Sequence, residues 1–338
     1  MKKKTISVAI ATYNGETFIQ EQLTSILFQT MKVDEIVISD DGSKDRTLTI
    51  ATEIAQCPEA EGVRFILLTD NTKHGCGGNF EYAMSHCHGD YIFVCSQDDV
   101  WLPNKVETVM TVFEKFPNAQ CVMHDAKIIN SEGVITNDAF LDHIGVKVLQ
   151  TNLQNGDIKH LDASLLELSV SKPLISGISL CVSKELMNSL KPFPTDAEDQ
   201  WIVFSAILSN GCYYVNKVLA YYRKHTGNTS GSRTKGLKSV SMLLKGVKSA
   251  RNRGTRFMYH YEFGKLCLYK LSSASMENDP AFRTAKRIYD IGCKKKRALE
   301  LGGILGGLAL IKIYLSDMRY RRIGKMSFFY DLLYVLQA

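Results

Sequence analysis

The sequence lacks the motifs of several large protein classes. Its nine cysteines form no CxxC pair, so the usual thiol-redox and zinc-ribbon spacings are absent. It has neither a GxGxxG nor a Walker-type loop, and dinucleotide or P-loop chemistry is therefore not indicated. No apolar run reaches the roughly 20 residues that span a bilayer. The apolar run after Lys4 is also too short for a signal peptide.

The first part of the chain has few basic residues relative to acidic ones, and the last part has few acidic residues. Residues 1–230 hold 19 Lys and Arg against 28 Asp and Glu, a net charge of −9, whereas residues 231–338 hold 22 against 7, a net charge of +15. The acidic part is a poor match for nucleic acid and suits a site for divalent cations, so we expect no nucleic-acid partner. The basic part suits an anionic surface such as lipid head groups.

The remaining composition is that of a globular protein. Hydrophobic residues make up 45% of the 338 residues, enough for the core of one large or two modest domains. Several cysteines stand in apolar runs such as 91–95, where a thiol acts as a small hydrophobic group. This use of cysteine favours a reducing compartment, and we expect a cytoplasmic protein.

Short apolar runs alternate with amphipathic segments over the first hundred residues. The runs predict buried strands at 6–12, 35–39, 63–68 and 91–95. The amphipathic segments predict helices at 16–29, 45–55 and 79–86. This alternation favours an α/β fold with a doubly wound, mainly parallel sheet.

A loop rich in Gly, Asn and Ser at 223–230 separates this part from a basic, helical remainder. We therefore expect two regions, residues 1–231 and residues 232–338. The second contains an apolar run at 301–315 that is too short to span a membrane but suits the head-group layer of an anionic leaflet. Alternatively, its helices pack on the first region or on a second subunit, which leaves a homo-oligomer open.

Polar clusters follow three of the predicted strands, at 12–14, 40–41 and 98–99. Ligands of open α/β sheets bind outside the carboxyl ends of the strands. Adjacent carboxylates repel each other unless a cation lies beside them, so Asp98 and Asp99 indicate a site for Mg²⁺ or Mn²⁺. Asp41 could accept a hydrogen bond from a nucleobase imide, or it could cap a helix.

Two further segments suggest chemistry. Glu198 and Asp199 open a predicted helix, where a carboxylate could act as a general base or only as a helix cap. The glycine-rich run 75–78 precedes another predicted helix, and its backbone N–H groups could approach a phosphate.

Taken in order, these motifs resemble those of glycosyltransferase family 2, the inverting enzymes of the GT-A fold, over roughly residues 5–230. The matching segments are 8–15, 38–43, Asn79, 97–103 and 198–201. The resemblance implies a metal-dependent hexosyl- or deoxyhexosyltransferase that uses a UDP- or dTDP-sugar. The branch that looks most similar is that of bacterial rhamnosyltransferase-like enzymes of surface polysaccharide synthesis.

The resemblance also implies roles for individual residues. Nucleotide-sugar binding would fall to Thr12, Tyr13, Asn14, Asp41, Asn79, Asp98, Arg223 and His225. Asp98 and Asp99 would form the metal-binding DxD region, and Asp199 would be the catalytic base. Arg223 and His225 lie in a segment similar to the family's Tyr-Arg-x-His loop and would hold the diphosphate, unless that loop only stabilises neighbouring strands.

One position departs from that branch. Ser96 stands where its members usually have the first Asp of Ser-Asp-Gln-Asp-Asp. Asp98 is therefore the direct ligand on which the metal prediction depends, and the expectation of a second carboxylate is weakened.

The partners expected from the resemblance are a nucleotide diphosphate sugar and a lipid-linked glycan acceptor of capsule or O-antigen synthesis. The basic residues 232–338 would hold the enzyme at the inner face of the cell membrane as a peripheral protein. Two rival functions remain, a sugar nucleotidyltransferase and a non-catalytic nucleotide-sugar or glycan binder. The first would need a glycine-rich phosphate loop directly after the first strand, and residues 12–15 do not supply one.

Overall fold

The computed structural model describes residues 4–69, 72, 74–141, 146, 149–171, 174–190, 198–228, 265, 280–301 and 303–316. The chain divides into two compact units, residues 1–162 with 173–231, and residues 163–172 with 232–338. The expected boundary near residue 232 coincides with one edge of this division. The short segment 163–172 belongs to the second unit because its helices contact the helix at 280–301.

The first unit contains the strands, and the helices are shared between the two units. The strands are β1 (Ile6–Thr12), β2 (Glu35–Asp40), β3 (Arg64–Thr69), β4 (Tyr91–Ser96), β5 (Val100–Trp101), β6 (Cys121–Ile129), β7 (Ile135–Ala139), β8 (Ile158–Leu161), β9 (Leu180–Ser183) and β10 (Cys212–Arg223). The helices are α1 (Ile19–Leu27), α2 (Thr47–Ala55), α3 (Gly75–Ser85), α4 (Lys105–Lys115), α5 (Leu166–Ser171), α6 (Lys184–Leu190), α7 (Glu198–Leu208), α8 (Pro280–Leu301) and α9 (Gly303–Ser316). Of these, α5, α8 and α9 lie in the second unit.

The strands form one sheet in the order β3-β2-β1-β4-β9-β6-β10-β5, with β7 beside β6 and β8 beside β10. Strands β1 to β4 pair in parallel, as do β6 and β10. The α/β fold expected from the sequence is confirmed. The sheet is less uniformly parallel than expected, because β5, β7, β8 and β9 all join it antiparallel.

The parallel register brings the ends of three strands to one edge of the sheet. Thr12 of β1 pairs with Asp40 of β2, and Ala11 of β1 pairs with Ser96 of β4. The middle of β1 is fully buried, as expected for a central parallel strand covered on both faces. The first polar residues that follow β1, β2 and β4 therefore meet at the same edge.

One predicted boundary is wrong. Residues 75–78 form the first turn of α3 rather than a loop before it, because the helix begins at Gly75. Gly75 itself has a φ of +69°, which a glycine adopts without strain. The glycine-rich run therefore lies at a helix start that follows β3 along the chain.

In the second unit, α9 buries one face and exposes the other. Leu310 and Ile313 are buried, whereas Leu305 and Leu308 are 66% and 57% exposed. None of the helices described by the structure combines the length and the apolar character needed to cross a bilayer.

Candidate active site

The residues that follow β1, β2 and β4 form a polar rim, which we define as residues 12–14, 40–43 and 96–99. The Thr12 carbonyl accepts hydrogen bonds from the Asp41 backbone N–H (2.9 Å) and from Nδ2 of the buried Asn79 (3.2 Å). The side-chain amide of Gln97 pairs with the backbone of Tyr13, accepting from its N–H at 2.9 Å and donating to its carbonyl at 3.0 Å. Segments far apart in sequence are thus joined directly.

Gln97 also explains the glycine that follows the first strand. A Cβ atom placed on Gly15 would lie 2.2 Å from Oε1 of Gln97, far inside van der Waals contact. Only glycine allows this approach without displacing the amide. The sequence reasoning used Gln97 only as part of a motif and missed its structural role.

Asn14 links the turn after β1 to the turn after β2. Its φ is +48°, a left-handed conformation that asparagine tolerates better than most residues. Its N–H donates to Ser43 Oγ and its Oδ1 accepts from the Lys44 N–H, each at 2.8 Å. The neighbouring Tyr13 is 48% exposed, so its ring is accessible to a ligand.

The first acidic pair of the rim has two different environments. Asp40 is buried and accepts from Thr12 Oγ1 (2.9 Å) and the Ser43 N–H (2.7 Å). Asp41 is partly exposed and accepts from the backbone N–H groups of His74 (2.6 Å) and Gly75 (3.2 Å) at the start of α3. These contacts correspond to the capping alternative, although the capped helix is α3 rather than the next helix in sequence.

The second acidic pair is divided in the same way. Asp99 is fully buried, and its Oδ1 accepts from the Arg223 backbone N–H at 2.9 Å. Burial and the adjacent Asp98 charge raise its pKa well above the usual value. Asp98 is only partly buried, and its Oδ2 lies 2.8 Å from His225 Nε2. The sequence predicts both carboxylates as metal ligands, and the structure encloses the Asp99 side chain in protein but leaves Asp98 partly exposed.

A buried lysine lies near Asp99. Lys105 is fully buried, donates from Nζ to the Ile178 carbonyl at 2.6 Å, and lies 3.7 Å from the ring centroid of Trp101. Burial lowers the pKa of Lys105 to about 7. Burial also holds the pKa of His124, on β6, well below the usual histidine value. The burial of these two residues was not predicted. A lysine in the first turn of an amphipathic helix gives no sequence signal that its side chain is buried.

Arg223 does not have the environment expected of a diphosphate ligand. It is 1% exposed, and its guanidinium donates from Nε to the Asp98 carbonyl (2.9 Å), from one terminal nitrogen to the Ser131 carbonyl (3.2 Å), and from the other to Glu21 Oε2. It also lies 4.8 Å from the ring centroid of Phe18. Each guanidinium nitrogen thus has a protein acceptor, which corresponds to the loop-stabilising alternative.

His225 lies two residues after Arg223 and contacts Asp98 of the rim. Its Nδ1 accepts from the Gly227 N–H at 3.2 Å, so Nε2 carries the proton and donates to Asp98 Oδ2. Its ring packs 4.7 Å from that of Phe18. The carboxylate and the imidazole are therefore neighbours, with side chains that are 14% and 16% exposed.

Asp199 lies in the first turn of α7 and is partly exposed. Its Oδ1 accepts from the Gln200 N–H at 2.6 Å. Helix α7 contacts α3, the helix that carries Asn79. The predicted base is therefore on a helix that packs against α3, and α3 is joined to the rim by the hydrogen bond from Asn79 to the Thr12 carbonyl.

Comparisons with known proteins show which proteins this sequence resembles. Residues 7–159 match the model of glycosyl transferase family 2. An uncharacterized glycosyltransferase of Rickettsia typhi is 27% identical over 247 residues, which cover 71% of this chain and 70% of that protein. WfaP of Escherichia coli, a UDP-Glc:alpha-D-GlcNAc-diphosphoundecaprenol beta-1,3-glucosyltransferase, is 25% identical over 276 residues, which cover 81% of this chain and 98% of WfaP.

Solved structures show the same fold. The mannosyltransferase PcManGT from Pyrobaculum calidifontis, in complex with GDP-Man and Mn²⁺, superposes with a TM-score of 0.52 at 17% identity. The match covers 99% of this chain and 86% of that one. With its GT-A type sheet and the family match, the chain belongs over residues 7–159 to glycosyl transferase family 2.

Proposed function

We propose that this glycosyltransferase transfers a sugar, with inversion, from a UDP- or dTDP-sugar to a lipid-linked glycan in surface polysaccharide synthesis. The observation that carries the proposal is the hydrogen-bonded rim at the carboxyl ends of parallel strands. There the Thr12 carbonyl accepts from Asp41 and from Asn79 of α3, and Gln97, next to Asp98, pairs with Tyr13. Tyr13 and Asn14, in the turn after β1, would contact the nucleoside together with Asp41.

A divalent cation fits the donor atoms beside this rim. The Asp98 carboxylate suits either Mg²⁺ or Mn²⁺, and His225, whose Nδ1 accepts from the Gly227 N–H, carries its proton on Nε2 and donates it to Asp98 Oδ2. Across the described residues, no group of three or more His, Cys, Asp and Glu side chains could hold a metal. Diphosphate oxygens and water would therefore have to complete the coordination shell, as is usual for these ions in nucleotide sites.

Three residues have different tasks in the reaction. Asp199 would take the proton of the acceptor hydroxyl, which attacks the anomeric carbon from the face opposite the leaving nucleoside diphosphate. Asp98 would hold the cation, which when bound stabilises the negative charge that develops on the diphosphate, and His225 would orient that carboxylate through its Nε2–H. Arg223 would act indirectly, through its hydrogen bond to the Asp98 carbonyl. A single displacement of this kind inverts the anomeric configuration.

The acceptor proposal rests on charge and on one relative. WfaP, which the chain matches over 98% of its length, acts on a sugar attached to diphosphoundecaprenol. A lipid-linked acceptor requires an enzyme at the membrane surface, and residues 231–338 carry a net charge of +15. We therefore place the enzyme at the inner face of the cell membrane as a peripheral protein. Residues 229–264, 266–279 and 317–338 of this region lie outside the described residues.

Within the described part of the basic region, the exposed face of α9 suits a lipid surface. Leu305, Leu308 and Lys312 are exposed at a spacing that puts them on one side of the helix. Lys294 and Arg297 of α8 are exposed as well. Replacing Leu305 and Leu308 together by Glu should abolish flotation of the full chain with vesicles rich in anionic lipid. Unchanged flotation would refute this surface, and equal flotation with zwitterionic vesicles would refute the electrostatic part.

The enzymatic proposal is tested by changing Asp199 to Asn. The purified chain would be given Mn²⁺ or Mg²⁺, a panel of UDP- and dTDP-sugars and a polyprenyl-diphosphate-linked acceptor, and nucleoside diphosphate release would be measured. Loss of a general base should lower turnover by about 10²- to 10⁴-fold while donor affinity is retained. Glu198→Gln, at the preceding position of α7, is the matched control and should stay close to wild type.

Two outcomes would contradict the proposal. If the wild-type chain released no nucleoside diphosphate with any donor of the panel, the transferase reaction proposed for these donors and acceptors would be refuted. A loss of turnover in Glu198→Gln but not in Asp199→Asn would reassign the base to the neighbouring carboxylate.

A further inference from the structure

Asn228, at the end of the loop that follows β10, contacts three parts of the proposed metal site at once. Its Oδ1 accepts from the His225 backbone N–H at 2.6 Å. Its Nδ2 donates to Asp98 Oδ2 and to the Arg223 carbonyl, both at 3.1 Å. One side-chain amide thus joins the carboxylate, the strand end and the backbone of the histidine.

The orientation of this amide is determined by its partners. If the oxygen and nitrogen were exchanged, the oxygen would face the Asp98 carboxylate and the Arg223 carbonyl, both of which are acceptors. The nitrogen would face the His225 N–H, which is a donor. Only the observed orientation satisfies both amide hydrogens and the amide oxygen, which is the criterion by which such groups are assigned.

The amide also closes the loop that carries His225. The Asn228 backbone N–H donates to the His225 carbonyl at 3.3 Å, so residues 225–228 form a turn held from both sides. Arg223 fixes the start of the same loop to the Asp98 carbonyl. Without the Asn228 side chain, the turn would keep only the backbone bond from the Asn228 N–H to the His225 carbonyl and the contact of the His225 ring with the Gly227 N–H.

We infer that Asn228 is a positioning residue that, together with His225, holds the Asp98 carboxylate in the orientation in which it would bind a divalent cation. The inference rests on the metal site proposed above and assigns a role to a residue that does not itself bind the cation. Hydrogen-bond partners of metal ligands fix ligand orientation, and their removal typically costs 10- to 100-fold in metal affinity. A polar residue in a Gly- and Asn-rich loop gave no signal of this role in the sequence.

The test compares Asn228→Ala with Asn216→Ala in the full-length chain. Asn216, on β10, also uses its whole amide, accepting from the Tyr214 hydroxyl (3.2 Å) and donating to the carbonyls of Leu153 (3.4 Å) and Gln154 (2.9 Å). The control therefore loses a similar set of hydrogen bonds away from the rim. Mn²⁺ binding in the presence of UDP would be measured by calorimetric titration, together with UDP binding in EDTA and the thermal midpoint.

We expect Asn228→Ala to weaken Mn²⁺ binding at least about tenfold, with UDP binding in EDTA unchanged and turnover recovering at high Mn²⁺. Asn216→Ala should lower only the thermal midpoint. Mn²⁺ affinity within twofold of wild type, or an equal loss in both variants, would overturn the positioning role while leaving the proposed site in place. A wild-type chain that binds no Mn²⁺ with UDP would overturn the metal site and this inference together.

Discussion

The two acidic pairs of the rim, Asp40-Asp41 and Asp98-Asp99, look alike in sequence but are used differently. In each pair one carboxylate is buried, Asp40 and Asp99, and the other is partly exposed. The order is reversed, since the buried residue comes first in one pair and second in the other. Asp40 ends β2, whereas Asp98 and Asp99 follow the last residue of β4.

The two partly exposed carboxylates, Asp41 and Asp98, have different kinds of hydrogen-bond partner. Asp41 accepts from two backbone N–H groups, which are fixed donors. Asp98 faces two side chains, His225 and Asn228, on a loop that closes over it. The Asp41 carboxylate is held by the backbone at the start of α3, whereas the Asp98 carboxylate is oriented by side chains. This difference is why we propose the cation at the second pair.

The largest effect should come from changing Asp98 to Asn, which removes the proposed metal ligand but keeps its size. We expect turnover at a fixed Mn²⁺ concentration to fall at least about 100-fold, because stabilisation of the charge on the leaving group is lost. Mn²⁺ binding measured by titration should weaken in parallel.

The matched change at the first pair, Asp41→Asn, should have a smaller and different effect. One weakened hydrogen bond to the nucleoside corresponds to about tenfold in UDP affinity, and Mn²⁺ binding should not change. If Asp41→Asn abolished Mn²⁺ binding and Asp98→Asn left it intact, the comparison would be reversed.

The smallest effect concerns pH, because buried titratable groups lie near the second pair. His124 is 1% exposed, and burial lowers its pKa well below 6.5. The unfolded chain therefore binds an additional proton below pH 6.5, so the free energy of unfolding must fall as the pH falls. Between pH 7 and pH 5.5 this linkage is on the order of 1 kcal/mol for one histidine that stays neutral in the folded chain.

Urea unfolding at the two pH values, compared with His124→Gln, isolates this contribution. The wild-type chain should lose on the order of 1 kcal/mol more than the variant over that interval. An equal loss in both proteins would show that His124 is protonated in the folded state, in conflict with its burial.

Much of the rim could be predicted from the sequence, because strand-end motifs report the chemistry of a sheet edge. Asn79 does donate to the Thr12 carbonyl, and Gln97, next to Asp98, does pair with the Tyr13 backbone. The family expected from the resemblance is confirmed. The role of Arg223 could not be predicted, since an arginine that binds a ligand and one that binds three carbonyl or carboxylate groups of its own chain have the same sequence. The same holds for Asn228, whose partners are 130, 5 and 3 residues away.

The sequence by itself determined the alternation of strands and helices, the family and the three polar clusters, because apolar periodicity and turn residues are local properties. Only the tertiary structure decided which carboxylate of each pair is enclosed and which is accessible. That choice depends on what packs behind the strand end: Lys105 and the Arg223 backbone lie near Asp99, and Thr12 and Ser43 surround Asp40. Thr12, Lys105 and Arg223 come from other elements, β1, α4 and β10, so the outcome depends on how those elements pack around the strand ends.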